Sequence, residues 1–488
     1  MTNPDQFRNQ YLLTSADRPG KYEAWPDEYI DENLILYSHP DLPVRSASKN
    51  QTTITSIGYI LDPLSPKKSN FEILSQLASD LNADGDPFEE INHLGGRYVL
   101  IIDHPENQLL VPDAGALRPI MYGRIGDDLV ITSSPKLSLA WFDTEQVMNK
   151  QKENYIPRIG WRVGRGTDDD RLTRVLANHF LDLEKQSQSR IPYSPPSTIK
   201  SIKYSSELLE GTLRAIVERF ENPQMWISGG LDSRMLIAAS KPISDQCQYI
   251  VFNRNDVKET DVSIAQQLQV ELDIDVTTAD LGPISASFKN KIDSNFCSPR
   301  YDNTLPNVEW TGNNQSENGI VISGIVSEVG RTFYEHPTKE LSAELCHTLA
   351  HLPQTEYSYR ELNNWLDCAK RYEKESGINP YDLFYWEQKI SNWGARAGRE
   401  LDLVSELSAP FANRELLHTI LQTPREDRRP PKYTTSRRII QNCWPECLEV
   451  PINPNKTLTD KMMSYIKSRS QTNLLHYKIK EAYYTAKY

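Results

Sequence analysis

The chain has 488 residues, room for two or three domains, and its 38% hydrophobic and 25% charged residues fall in the globular range. A formal net charge of −12 argues against a nucleic-acid partner, because binding a phosphate backbone relies on basic surface. Mean hydropathy is −0.58, no apolar run approaches a membrane span, and the N-terminus lacks the basic-then-apolar order of a signal peptide; a cytoplasmic protein without a membrane partner is expected.

Up to about residue 145 the chain reads as β-rich. Phe71, Leu74, Leu77, Ala78 and Leu81 recur at helical spacing and predict one helix. Strands follow at Tyr98–Ile102, Gln108–Val111 and Asp128–Thr132, the first two joined by the turn Asp103–Asn107. A polar connector runs from Thr144 to Asn154, and the segment Asn178–Leu183 carries His179, read as a packed or hydrogen-bonded histidine rather than a base. Glu184 to Ser197 reads as a loop.

The second half opens on the helical pattern Leu208, Leu213, Ile216 and Phe220. Apolar runs at Met225–Ile227, Gln248–Phe252, Ile274–Thr277 and Gly319–Ile322 predict strands. Asp261–Leu272 reads as a helix with Ile264, Ala265, Leu268 and Leu272 inward. Strands alternating with helices predict a parallel sheet, with ligand at the carboxyl ends of its strands. After Thr338 the chain reads as largely helical. Of the six cysteines only Cys443 and Cys447 are close, so reduced thiols are expected rather than a zinc site.

The run Ser228-Gly229-Gly230-Leu231-Asp232-Ser233 sits where a strand turns into a helix start. There the unpaired N–H groups and the positive end of the helix dipole favour phosphate. The glycines let the backbone approach an anion, the hydroxyls of Ser228 and Ser233 can donate to it, and the Asp232 carboxylate can hold Mg²⁺. This run resembles the pyrophosphate loop of the ATP pyrophosphatase superfamily.

Upstream, Gly96-Arg97-Tyr98, Asp113-Ala114-Gly115, Arg118–Tyr122 and Ile131–Lys136 resemble, in order, the amino-terminal glutaminase-type domain of the asparagine synthetase and β-lactam synthetase family. The resemblance spans about residues 90–460. It implies an α/β protein: an Ntn-hydrolase-like, β-rich α+β sandwich over residues 1–145, a linker region over 146–200, and an ATP pyrophosphatase domain with a helical C-terminal part over 201–488. It also implies ATP and Mg²⁺ as cofactors and cleavage of ATP to AMP and pyrophosphate as a substrate carboxylate is adenylated. The partners expected are a small-molecule or peptide carboxylate and an amine donor; a homodimer is left open.

The family's glutaminase uses a cysteine at residue 2 as nucleophile, with the free α-amine as base. Here residue 2 is Thr2, and no cysteine precedes Cys247. The domain is therefore expected not to make ammonia from glutamine, which matches the β-lactam synthetase and lasso-peptide cyclase branches.

In Ser323-Gly324-Ile325-Val326-Ser327-Glu328 the resemblance implies that Gly324 lines the pyrophosphate site and that Glu328 completes the metal site with Asp232. Ile325 stands where the family carries its acid–base residue, glutamate or tyrosine by branch. Glu400, Asp402 and Glu406 read as lying on one helix, where any of them could deprotonate an incoming amine or merely face solvent; Glu400 and Glu406 are the catalytic candidates. Tyr385, Trp386, Glu387, Trp393 and Arg396 fit one amphipathic helix, with the aromatics as core. Lys432-Tyr433 resembles a family segment, and Lys456 sits where the family places a lysine that stabilises the acyl-adenylate.

The expected function is an ATP-dependent, glutamine-independent ligase that forms an amide within one substrate or between two. Two rivals are a nucleotide-binding scaffold that has lost turnover, suggested by Ile325, and a tRNA-modifying ATP pyrophosphatase, disfavoured by the acidic charge.

Overall fold

In the strand Tyr11–Thr14, Tyr11 and Leu13 face one core and Leu12 the opposite one, the period-2 alternation that stacks a sheet between two layers. This is seen in a computed structural model that describes residues 6–453, apart from 18–20, 23, 84, 154, 193–200, 254–258, 303 and 336–338. Among the described residues, twelve strands form two antiparallel sheets. They are β1 (Tyr11–Thr14), β2 (Asp27–Tyr29), β3 (Ile35–Ser38), β4 (Val44–Lys49), β5 (Thr52–Leu61), β6 (Gly95–His104), β7 (Asn107–Pro112), β8 (Met121–Ile125), β9 (Asp128–Thr132), β10 (Leu172–Arg174), β11 (His179–Asp182) and β12 (Ser187–Arg190). The orders are β10-β8-β9-β1-β3-β2 and β12-β11-β7-β6-β5-β4.

Val99 and Ile101 of β6 meet Tyr11, Leu13 and Leu36 between the sheets, while Tyr98, Leu100 and Ile102 face outward. That outer face is covered by the helix Asn70–Leu81, which a Ser69–Glu72 capping box starts. Its buried side chains are Ile73, Leu74, Leu77, Ala78 and Leu81; Phe71, which shares their spacing, is 57% exposed in the first turn. The helix Pro135–Phe142 covers the other sheet through Leu137 and Trp141. The result is a helix–sheet–sheet–helix stack.

The stack runs past residue 145. β10 closes the edge of one sheet, and β11 and β12 extend the other, so the strands continue to Arg190. Within Glu184–Ser197, expected as loop, Ser187–Arg190 pairs with β11 as a polar edge strand.

Five strands form a wholly parallel sheet: β13 (Gln224–Ile227), β14 (Gln248–Asn253), β15 (Val276–Asp280), β16 (Ile320–Ile322) and β17 (Glu406–Ser408), in the order β15-β14-β13-β16-β17. Both faces are covered over the central strands, as parallel sheets require, while the edge strand β15 is mostly exposed. Met225, Ile227, Tyr249 and Val251 face a core with the helices Ile202–Val217 and Leu231–Ala239. Val321 and Leu407 face the opposite core with Phe288, Ile292 and Val308. The chain is therefore of mixed α/β class, with two antiparallel sheets and one parallel sheet.

The remaining C-terminal elements are mostly helical. Pro380–Leu383, the π-helical stretch Phe384–Gly394 and Ala395–Leu401 run on as one helix. Among the described residues no helix is long and apolar enough to cross a membrane.

Two histidines, His179 buried and His418 half-buried, give the stack and its helical cover an acid sensitivity. His179 on β11, its Nδ1 2.9 Å from the Ala177 carbonyl, is pushed down to about 4 by burial. His418, edge-on to Trp386 on the helix Arg414–Leu421, is pushed down to about 4 by burial and by Arg414. Between pH 6.5 and 4 the unfolded chain binds these protons and the folded chain does not, so stability rises with pH there and is lost on acidification. The loss approaches roughly 3 kcal/mol per histidine by pH 4. Urea unfolding from pH 7 to 4.5 should show it, and His418→Gln should flatten the slope.

Candidate functional site at the switch point of the parallel sheet

From β13 the chain moves outward to β14 and β15 on one side, then returns to β16 and β17 on the other. The strand order thus reverses between β13 and β16, and the loops leaving their carboxyl ends open a crevice there. Residues Ser228–Ser233 follow β13 and residues Ser323–Gly330 follow β16, so the fold brings the two predicted loops together.

The first loop is tied by its own hydroxyls. Ser228 Oγ and Ser233 Oγ lie 2.9 Å apart, Ser233 Oγ accepts from Ser228 N at 3.0 Å, and Ser228 Oγ accepts from Gly230 N at 3.2 Å. Gly230 caps the helix Leu231–Ala239 without a side chain, and the first helical bond runs from Arg234 N to Gly230 O. The N–H groups of Leu231, Asp232 and Ser233 consequently point out of the helix end. Gly229 N donates to Asp261 Oδ1 at 2.8 Å, so an incoming anion meets the first helical turn instead.

Gly324 is where the second loop touches the first: a Cβ there would stand 3.1 Å from Asp232 Cβ. Val326 then takes φ +80°, a left-handed conformation that a β-branched residue adopts only at a cost of about 1–3 kcal/mol. That turn leads into the short 3₁₀ segment Ser327–Gly330 and aims Glu328 back toward Asp232. Arg331 Nη2 bridges the two carboxylates, 2.8 Å from Asp232 Oδ2 and 3.1 Å from Glu328 Oε1. The Tyr385 hydroxyl donates to Glu328 Oε2.

Burial raises the Asp232 carboxyl, Arg331 opposes that rise, and Glu328 adds to it. Burial first and Glu328 second push the Tyr385 phenol well above its usual range, so it stays a neutral donor. Asp232 Oδ1 is buried without a hydrogen-bond partner among the described residues. Two carboxylates held together by one cation, with an oxygen to spare, suit a divalent metal bound partly by substrate phosphates.

The other predicted residues lie elsewhere. Glu406 opens strand β17 rather than lying on a helix with Glu400, because it pairs with Ile320. Its carboxylate is buried between Arg97 Nη1 (2.8 Å) and Arg118 Nη2 (2.7 Å), and Leu407 N donates to it at 3.0 Å. Burial would raise Glu406, but Arg118 and Arg97 outweigh it and hold it below the usual range. Glu400 is on the helix Ala395–Leu401 as expected, but buried rather than facing solvent, with Arg300 at 2.5 Å and Arg396 at 3.2 Å. Asp402 takes both Nη atoms of Arg97, at 2.5 and 2.7 Å. Neither predicted base has an oxygen free of arginine for an amine. Thr2 and Lys456 lie outside the described residues. Ile325 packs toward Gly394, 3.3 Å from where its Cβ would stand.

Arg331 and Tyr385 are the members of this candidate site that sequence reasoning missed. Arg331 had a signal, three residues after Glu328 on a single turn. Tyr385 had none, being 57 residues from its acceptor. Tyr385→Phe removes a charge-assisted hydrogen bond worth about 1.5–3 kcal/mol. Under the function proposed below, we expect it to slow pyrophosphate release about ten- to a hundredfold in a coupled assay, and calorimetry should show the melting midpoint lowered by a few degrees.

No protein-family model matches the chain. No curated protein matches it in sequence. Solved structures similar to it include the glutamine-dependent NAD+ synthetase from Acinetobacter baumannii in complex with ADP, 22% identical, covering 32% of this chain and 31% of that one, with a TM-score of 0.22. NMN synthetase from Francisella tularensis is 16% identical, with 45% of this chain and 93% of that one covered and a TM-score of 0.22. Glutamine PRPP amidotransferase from B. subtilis, complexed with ADP and GMP, is 9% identical, with 60% and 87% covered and a TM-score of 0.21. The chain thus spans about a third of the length of the NAD+ synthetase. Scores this low fall short of a shared overall fold.

Proposed function

We propose that the chain is an ATP-dependent, glutamine-independent, amide-forming ligase that releases AMP and pyrophosphate. The observation that carries this reading is the grouping of Asp232, Glu328 and Arg331 beside the open helix end of Ser228–Ser233, at the switch point of the parallel sheet. The N–H groups of that helix end and the Ser228 and Ser233 hydroxyls bind the β- and γ-phosphates. Asp232 and Glu328 would hold Mg²⁺, which neutralises triphosphate charge when bound. Tyr385 is a positioning residue: it fixes Glu328, and Arg331 would turn from the carboxylates to phosphate oxygens when the nucleotide binds.

A substrate carboxylate oxygen attacks the α-phosphorus, the bond to the bridging oxygen breaks, and pyrophosphate departs with the electron pair. An amine then attacks the acyl carbon, loses a proton and expels AMP. Lys456 is proposed to stabilise the charge of that second step. The helix–sheet–sheet–helix stack supports a glutaminase-like ancestry for the N-terminal half, in which no cysteine precedes Cys247 to serve as a glutaminase nucleophile.

A second reading, a nucleotide-binding scaffold, is favoured by one observation: Ile325 and the arginine-filled Glu400 and Glu406 leave no general base among the predicted residues. Hydroxylamine, a small amine that needs little help from a base, separates the two. A ligase forms hydroxamate and pyrophosphate from ATP and a panel of carboxylic acids; a scaffold binds ATP and forms neither.

A further inference from the structure

A small cavity lies between the antiparallel stack and the end of the long helix, and four arginines line it: Arg162, Arg174, Arg396 and Arg399. Arg174 ends the edge strand β10; Arg396 and Arg399 are one turn apart on the helix Ala395–Leu401. Two of the four have carboxylate partners. Arg162 Nε is 2.8 Å from Asp168 Oδ1, and Arg396 Nε is 3.2 Å from Glu400 Oε1, an acid it shares with Arg300.

Arg174 and Arg399 have none among the described residues. Arg174 donates to the Ser391 carbonyl at 3.2 Å and Arg399 to Ser134 Oγ at 3.3 Å. The Nε of each is buried without a partner among the described residues, and the two residues are only 8% and 4% exposed. Burial and the neighbouring Arg399 push Arg174 down to about 9, against the opposing charge of Asp168. The carboxylate that lines the cavity, Asp168, is hydrogen-bonded to Arg162 and offsets Arg174 and Arg399 only at a distance. Four arginines outnumber it there, so the cavity keeps an excess of buried positive charge. The cavity, about 20 Å³, has room for one small body.

We propose that this cavity is a binding site for a small anion, a halide or the carboxylate group of a small acid, held between Arg174 and Arg399. Guanidinium forks match a carboxylate in two-point contact, and their diffuse charge also suits a weakly hydrated halide. The site is built from residues other than those proposed to bind ATP, so it should fill without nucleotide.

The test is thermal unfolding of the full chain in a buffer whose only anion is bulky, such as HEPES, titrated separately with sodium chloride, formate and sulfate at matched ionic strength. The midpoint should rise saturably by several degrees with chloride or formate. The anion acting at the lower concentration identifies a halide or a carboxylate site, while sulfate should give only a shallow unsaturated trend. Arg399→Gln should abolish the saturable rise and unfold no earlier than wild type without small anion, since it removes a charge that Asp168 offsets only in part. An equal rise in wild type and variant, or no saturable rise with either small anion, overturns the proposal. Should the variant not fold, bromide-soaked wild-type crystals decide: an anomalous peak between Arg174 and Arg399 is expected, and none there overturns it.

Discussion

Asp232→Asn should lower pyrophosphate release by about a thousandfold while leaving the chain folded. The substitution keeps the shape of the side chain but removes the charge that a metal ligand needs. Losing one preorganised charge-stabilising group costs about 10²–10³ in rate, and Asp232 also sets the place of Arg331. The fold should tolerate it because Asp232 fills no core: its side chain is 24% exposed, Oδ1 has no partner among the described residues, and burial already disfavours its charged form. Arg331 keeps Glu328 as a partner. A pyrophosphate-coupled assay beside a thermal melt checks both halves. Wild-type turnover in the variant would remove Asp232 from the site.

The largest effect on stability should come from the opposite kind of carboxylate. Arg97 on β6 and Arg118 reach across from the antiparallel stack to Asp402 and Glu406, and all four groups are buried. Gly58 makes room for this crossing: at φ +103° it pairs with Tyr98, and a Cβ there would lie 2.6 Å from Arg118 Nε. Arg97→Met strands Asp402 and weakens the hold on Glu406. Removing one partner of a buried ion pair costs about 3–5 kcal/mol, because the charge left behind has neither water nor a counter-ion. Urea unfolding should show that loss, while Arg97→Lys should retain part of the stability and lose the two-point contact with Asp402. A change under about 1 kcal/mol for Arg97→Met would mean that the site is hydrated and the network incidental.

Much of the fold was legible because each side chain's periodicity matched its element. β9 falls on the residues expected, and the helix Asn70–Leu81 carries its own start signal in Ser69 and Glu72. The misses have local causes. β15 begins at Val276 rather than Ile274, since Asp273 takes φ +52° and the chain uses the next residues to leave the helix. β12 is polar along its length, so no hydrophobic alternation marks it. Glu406 looks helical by its spacing from Glu400 and Asp402, but pairing with β16 overrides that pattern.

The site divides the same way. Ser228–Ser233 is contiguous and could be read directly. Arg331, Tyr385 and the occupation of Glu400 and Glu406 by arginines depend on contacts between distant segments, which no local pattern encodes.

In the proposed function the crevice between β13 and β16 cleaves ATP between its α- and β-phosphates. Isotope exchange between labelled pyrophosphate and ATP, run with Mg²⁺ across a panel of amino-acid and peptide carboxylates, tests it most directly. Label should enter ATP only when an acceptable acid is present, with no amine required, and none should enter with Asp232→Asn. ADP and orthophosphate as products, or no exchange with any acid while ATP is bound, would contradict it.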